Sequence, residues 1–248
     1  MQVLGVIPAR YASTRFPGKM LAPILGKPMV LWVAEAAAKS KLLDHFLVAT
    51  DDERIADIAE HNGYDVIMTS PSCRNGTERV AEVAKKLHLY EILVNIQGDE
   101  PLITGEIIDK VVEDLLNTPE AGISTGYVPI QSERKAKDPN VVKVVTDKDG
   151  FALYFSRSVI PYQRNGIVKP KRHIGIYAYR WEEIIRYSRY PQSDLEREEN
   201  LEQLRALEYG AKIHCIEIPG GENLIGVDTP EDIRRVERAL KRLLKGRK

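Results

Sequence analysis

Between Val3 and Met68 the chain alternates short apolar runs with amphipathic stretches, and that alternation restricts it to a narrow class of folds. Val3 to Ile7 reads as a buried strand. Met29 to Lys39, a run of strong helix formers after Pro28, reads as a first crossover helix. Leu43 to Ala49 supplies a second strand, Glu53 to His61 a helix closing near Gly63, and Tyr64 to Met68 a third strand. Strand and helix in strict succession predict right-handed βαβ units and a parallel sheet covered on both faces. Ligands of such sheets lie beyond the carboxyl ends of the strands. Pro8 to Lys19 and Thr50 to Glu53 both fall at that edge.

The stretch Pro8 to Lys19, PARYASTRFPGK, gathers Arg10, Arg15 and Lys19 among small and turn-forming residues. Ala9, Ala12 and Ser13 leave room for backbone N–H groups to approach phosphate oxygens, Pro17 and Gly18 shape the turn, and the cations neutralise charge. This is chemistry suited to a triphosphate, although neither the Walker nor the dinucleotide glycine pattern is present. Cys73 to Arg79 then runs into a helix expected over Val80 to Leu87. Asn75 or Thr77 can cap it, which accounts for part of the segment without any ligand; the functional reading sets Arg74, the backbone near Gly76 and Arg79 against a ligand at the helix N-terminus. The buried strand Glu91 to Ile96 delivers Gln97-Gly98-Asp99-Glu100-Pro101, and an acidic pair there, near arginine-rich loops, suits Mg²⁺ bridging protein and phosphate. The competing role for that pair is to cap the helix Glu106 to Leu116.

The second half changes character. Gly122 to Ile130, Val141 to Thr146, Phe151 to Phe155 and Ile174 to Tyr179 are strand-like, with a hairpin signal at Asp147 to Gly150 and a Pro-rich, Gly-containing basic loop at Pro161 to Pro170. Ser193 to Tyr209 reads as one long helix with Leu195, Leu201, Leu204 and Leu207 as its apolar stripe and most charges on a solvated face, closed by Gly210. Lys212 to Ile218 is a strand, and Gly226 to Asp232 places Asp228, able to bind a metal or cap, before a last helix over Glu231 to Lys245. The 36 basic and 36 acidic residues cancel, so no global field recruits nucleic acid or an acidic membrane. Cys73 and Cys215 are too far apart in sequence for a metal ribbon and fit a reducing, cytoplasmic setting. No apolar run approaches the roughly 20 residues of a membrane span, and no signal peptide opens the chain, so a soluble, unexported protein is expected.

PARYASTRFPGK, NGTER at Asn75 to Arg79, NIQGDEP at Asn95 to Pro101, LYFSR at Leu153 to Arg157, RHIGIY at Arg172 to Tyr177, LEQLR at Leu201 to Arg205 and GVDTPED at Gly226 to Asp232 together resemble the 3-deoxy-manno-octulosonate cytidylyltransferases, the CMP-Kdo synthetases. The resemblance runs nearly end to end. It departs at Asn75, where serine is common, and in a shortened basic loop around Gln163 to Lys171. It implies an α/β, Rossmann-like nucleotidyltransferase fold with a mixed, mainly parallel central sheet and a smaller antiparallel β insertion in the second half. Within this single domain, residues 1–120 and 211–248 would form the nucleotide-binding core and 121–210 the sugar-binding and dimerisation region.

The activity implied is transfer of CMP from CTP to the anomeric hydroxyl of Kdo, with pyrophosphate released. Arg10, Ser13, Arg15 and Lys19 would hold the triphosphate, with Arg15 and Lys19 stabilising the leaving group. Asp99 and Asp228 would share a catalytic Mg²⁺, and a second ion would ride on the β and γ phosphates. Cytosine would lie near Arg74, Gly76, Thr77, Arg79 and Gln97, and Kdo among Arg157, His173, Tyr177, Glu202 and Gln203. The resemblance further implies a homodimer serving lipopolysaccharide synthesis. The alternatives are an N-acylneuraminate cytidylyltransferase, which needs room for an N-acyl group, and a sensor of CTP or a nucleotide sugar without turnover.

Overall fold

The computed structural model describes residues 1–12, 16–166 and 168–245. The predicted site residues Ser13 and Arg15 therefore lie outside the described residues. Two compact units emerge, one of Met1–Asp109 with Asn223–Lys248 and the other of Lys110–Glu222.

In the first unit, β1 (Val3–Ala9) is buried at all seven positions, as expected of a strand covered on both faces. The short hairpin of β2 (Pro23–Ile24) and β3 (Lys27–Pro28) follows, turned by Leu25 and Gly26 at positive φ. Then come α1 (Met29–Ala37), β4 (His45–Thr50), α2 (Glu53–His61), β5 (Val66–Met68), α3 (Gly76–Lys86), β6 (Ile92–Asn95) and α4 (Gly105–Asn117). The strands lie in the order β6-β1-β4-β5, all parallel, with Val6 opposite Leu47 on one side and Asn95 on the other. The α3 helix begins at Gly76, four residues before the expected start at Val80, because the Asn75 side chain accepts the Glu78 N–H at 2.8 Å.

The second unit carries β7 (Ile123–Pro129), α5 (Glu133–Lys137), β8 (Lys143–Thr146), β9 (Ala152–Ser156), β10 (Lys171–Arg180), α6 (Trp181–Tyr187), α7 (Asp194–Glu199), α8 (Gln203–Glu208) and β11 (Ile213–Glu217). Here β11 runs parallel to β7, whereas β7, β10, β8 and β9 pair antiparallel in succession. Together the units give the mixed, mainly parallel α/β architecture with an antiparallel insertion.

The expected single helix from Ser193 to Tyr209 is overturned. It breaks at Asn200, which sits in the left-handed region at φ 52°, separating α7 from α8. Its charges are not all solvated either. Glu196 and Arg205 are buried and joined by two hydrogen bonds of 2.5 and 2.7 Å, which fold α8 back against α7. The chain closes in the first unit with α9 (Pro230–Lys245). Among the described residues no helix is long and apolar enough to cross a membrane.

Candidate active site

Parallel pairing brings the last residues of β1 and β6 to one edge of the first unit, and the loops that follow carry the chemistry. Beyond β1 the Gly18 N–H donates to the Tyr11 carbonyl at 3.0 Å. Gly18 has φ +69°, and a Cβ there would lie 3.1 Å from the Tyr11 ring, so both conformation and space call for glycine. The turn aims Lys19 inward.

The Lys19 side chain is only 9% exposed, and its ammonium lies 2.5 Å from Asp99 Oδ2, 3.1 Å from the Val227 carbonyl and 4.0 Å from Asp228 Oδ1. Two sequence-distant carboxylates thus converge on one buried cation. Several contacts fix them. The Val227 N–H donates to the Asp99 carbonyl at 2.9 Å, while the Asp232 carboxylate accepts the N–H groups of Asp228 and Thr229 and the Thr229 hydroxyl at 3.0–3.2 Å. Burial pushes the Asp232 carboxyl up, but these donors and Arg235 outweigh it and hold the pKa below the ordinary value. Helix α4 does not need Asp99 or Glu100 as a cap, since Thr104 Oγ1 accepts the Ile107 N–H at 3.4 Å.

The donor set bears on the metal. Among the described residues no group of three His, Cys, Asp or Glu side chains is placed to hold an ion. Two carboxylates, 30% and 52% exposed, leave most of a coordination sphere to water and phosphate, which fits Mg²⁺ better than a caged structural ion.

A second cluster stands at the ends of β1 and β6. A Cβ on Gly76 would lie 3.3 Å from Pro8 and 3.5 Å from both Asn95 and Gln97, so glycine lets α3 approach the strand ends closely. Asn95 links Thr77 at 3.5 Å to Gln97 at 3.3 Å, a polar rail beside that close approach. Arg10 donates to the Arg74 carbonyl at 3.5 Å, and Arg74 itself pairs with Glu78 at 2.5 Å. Arg79 is placed differently. Its side chain is 3% exposed and is bound to Asp51 at 3.1 Å and to Thr69. It braces the base of the loop and does not project from it. Asn95, Asp51 and Thr69 escape the sequence reading because each acts through a partner remote in sequence, such as Thr77 for Asn95 and Arg79 for Asp51 and Thr69.

In the second unit a bulge in β10 between Ile174 and Tyr177 sets its pairing with β7. The Thr125 hydroxyl fills it, donating to the Ile176 carbonyl at 2.8 Å and lying 3.0 Å from His173 Nε2. His173 packs between Phe155 and Tyr177, with ring centroids at 5.0 and 5.4 Å. Burial, with Arg172 nearby, pushes the His173 pKa down to about 3, so the ring is neutral near pH 7. Burial, then Tyr179 and Glu202, raises the Tyr177 hydroxyl well above its usual value. Gln203 is 6% exposed, and its amide nitrogen has no partner among the described residues. Arg157 is turned toward backbone: Nε meets the Glu199 carbonyl at 2.7 Å, and its two terminal nitrogens the Pro139 and Asn200 carbonyls at 3.0 and 3.2 Å.

A parallel α/β sheet whose carboxyl edge presents a buried lysine between two carboxylates, beside arginine-bearing loops, has the construction of a nucleotide-handling transferase. The chain belongs to the cytidylyltransferase family, whose sequence pattern matches residues 4–213. It is 49% identical to the mitochondrial 3-deoxy-manno-octulosonate cytidylyltransferase of Arabidopsis thaliana, over 95% of this chain and 82% of that one. It is 47% identical to the 3-deoxy-manno-octulosonate cytidylyltransferase of Syntrophotalea carbinolica over 98% and 100% of the two chains. The solved structure of a CMP:2-keto-3-deoxy-manno-octonic acid synthetase complexed with CTP superposes with a TM-score of 0.91 at 38% identity, covering 98% of this chain and 99% of that one.

Proposed function

We propose that this protein transfers CMP from CTP to the anomeric hydroxyl of Kdo and releases pyrophosphate. The observation that carries the reading is the convergence of Asp99 and Asp228 on the Lys19 ammonium, within 2.5 and 4.0 Å, in a chain 47–49% identical to named Kdo cytidylyltransferases. In-line attack on an α-phosphate asks a protein for positioning and charge neutralisation more than for covalent chemistry. Arg10, Ser13, Arg15 and Lys19 hold the triphosphate, and Arg15 and Lys19 stabilise the departing pyrophosphate.

Asp99 and Asp228 are the residues that would hold Mg²⁺, which when bound supplies Lewis acidity at the α-phosphate and lowers the pKa of the attacking hydroxyl. Lys19 keeps the two carboxylates close despite their mutual repulsion. The Gly76, Thr77 and Gln97 cluster receives the base, with Arg74 at its mouth and Arg79 bracing it from behind. For the sugar, neutral His173 and protonated Tyr177 offer directional hydrogen bonds without adding charge, and Glu202, Gln203 and Arg157 complete the surroundings.

Residues 1–120 and 211–248 thus serve the nucleotide and 121–210 the sugar. The product would enter lipopolysaccharide assembly, made by a homodimer in the cytoplasm. The zero formal charge and the two free thiols are compatible with that setting.

The test is pyrophosphate release from CTP with Kdo, with N-acetylneuraminate and with no sugar, each with and without Mg²⁺. Release with Kdo and metal alone is the expected result. Release with the neuraminate alone would overturn the sugar assignment, and CTP binding without release from either sugar would point to a sensor.

A further inference from the structure

Lys143 opens β8 with no exposed surface. Its ammonium points at backbone carbonyls, those of Asp138 at 3.1 Å, Val141 at 2.6 Å and Arg157. Three donors meet three acceptors, so the buried charge is hydrogen-bonded in full.

The Arg157 backbone is therefore gripped on both sides of its Cα. Its carbonyl accepts from Lys143 and its N–H donates to the Glu199 carboxylate at 2.9 Å, which also takes the Ser156 hydroxyl at 2.5 Å. From this anchored backbone the Arg157 guanidinium reaches the carbonyls of Glu199 and Asn200. In an unbroken helix those two carbonyls would accept the N–H groups of Gln203 and Leu204. Arg157 takes the acceptors that continued helix would use, and the chain turns through Asn200 at φ 52°.

The turn restarts helix at Gln203, which is 6% exposed and whose buried amide nitrogen has no partner among the described residues. A buried donor left unsatisfied is costly unless an incoming oxygen meets it. A polyhydroxylated sugar acid is rich in such oxygens.

We propose that Lys143 is a positioning residue for sugar recognition: by anchoring the Arg157 carbonyl it sets the clamp that breaks the helix and presents the Gln203 amide to an oxygen of the acidic sugar. The inference rests on the assignment of Kdo to these residues. It moves Arg157 from the sugar's surroundings to the framework that shapes them, and adds Lys143, remote in sequence from Gln203.

The experiment is a double-mutant cycle of Lys143→Met and Gln203→Leu, with KM and kcat measured for each substrate and CTP binding followed by calorimetry. Each single variant should raise the KM for Kdo about tenfold, leaving the KM and affinity for CTP within about twofold. The double variant should be no worse than the worse single by more than about twofold, because once Lys143 is gone Gln203 is no longer presented. Multiplying effects would overturn the proposal. So would an equal loss in both substrates, or an unchanged KM for Kdo. If Lys143→Met fails to unfold cooperatively, Lys143→Gln, which keeps two of the donors, takes its place in the cycle. Wild-type protein that releases no pyrophosphate with Kdo would instead bring down the underlying function, a failure visible before any variant is made.

Discussion

Lys19, nearly sealed and facing two carboxylates, is the residue on which the proposed nucleotide site turns. Lys19→Met should lower kcat at least about a hundredfold, since it removes a charge from the leaving-group side and leaves Asp99 and Asp228 repelling each other. Asp99→Asn and Asp228→Asn should each cost at least about a hundredfold with a native circular dichroism spectrum; full turnover in both would end the two-carboxylate mechanism. His173 makes a different kind of prediction. Its folded pKa of about 3 lies below the ordinary 6.5, so the unfolded chain takes up a proton that the folded one refuses. Stability through His173 is complete above about pH 6.5 and declines as pH falls toward 3. In urea titrations at pH 7 and pH 5, the loss on acidification should be smaller for His173→Gln than for the wild type; equal losses would contradict a histidine held neutral.

At the level of elements, α7 and α8 show a local pattern losing to tertiary contacts. Helix formers and a leucine stripe favour one helix from Ser193 to Tyr209, and nothing within that stretch announces that Arg157 will claim the Glu199 and Asn200 carbonyls. Asn200 is the sole local hint, as one of the few side chains that accept left-handed backbone readily. Asn200→Val should therefore destabilise by about 1–3 kcal/mol and Asn200→Gly by much less, a contrast read from denaturation midpoints. The Glu196 and Arg205 pair gives a second test. Arg205→Met alone strands a buried carboxylate and should cost about 3–5 kcal/mol, whereas adding Glu196→Leu should recover most of it. By contrast α2, capped by Asp52 through the Arg54 N–H at 3.0 Å, runs from Glu53 to His61 as its own residues predict, because cap, amphipathic face and closing Gly63 lie within its reach.

For the molecule as a whole, the metal supplies a test that separates catalysis from folding. Removing Mg²⁺ with EDTA should abolish pyrophosphate release while leaving the melting temperature within about 2 °C, because Lys19 holds the two carboxylates and the fold does not depend on an ion as a structural-zinc domain does. A large drop in melting temperature would refute that division. The sequence by itself determined the α/β class and the order of nearly all the strands and longer helices, because periodicity and caps are short-range properties. It also determined which loops carry arginines and carboxylates, because a parallel sheet sends those loops to one edge. Only the tertiary structure decided that Asp99 and Asp228 meet on Lys19, that Arg79 turns inward to Asp51 and that the helix breaks at Asn200. Each of those outcomes depends on a partner tens of residues away or on competition between hydrogen-bond acceptors, and chain closure over such distances leaves no periodic trace in sequence.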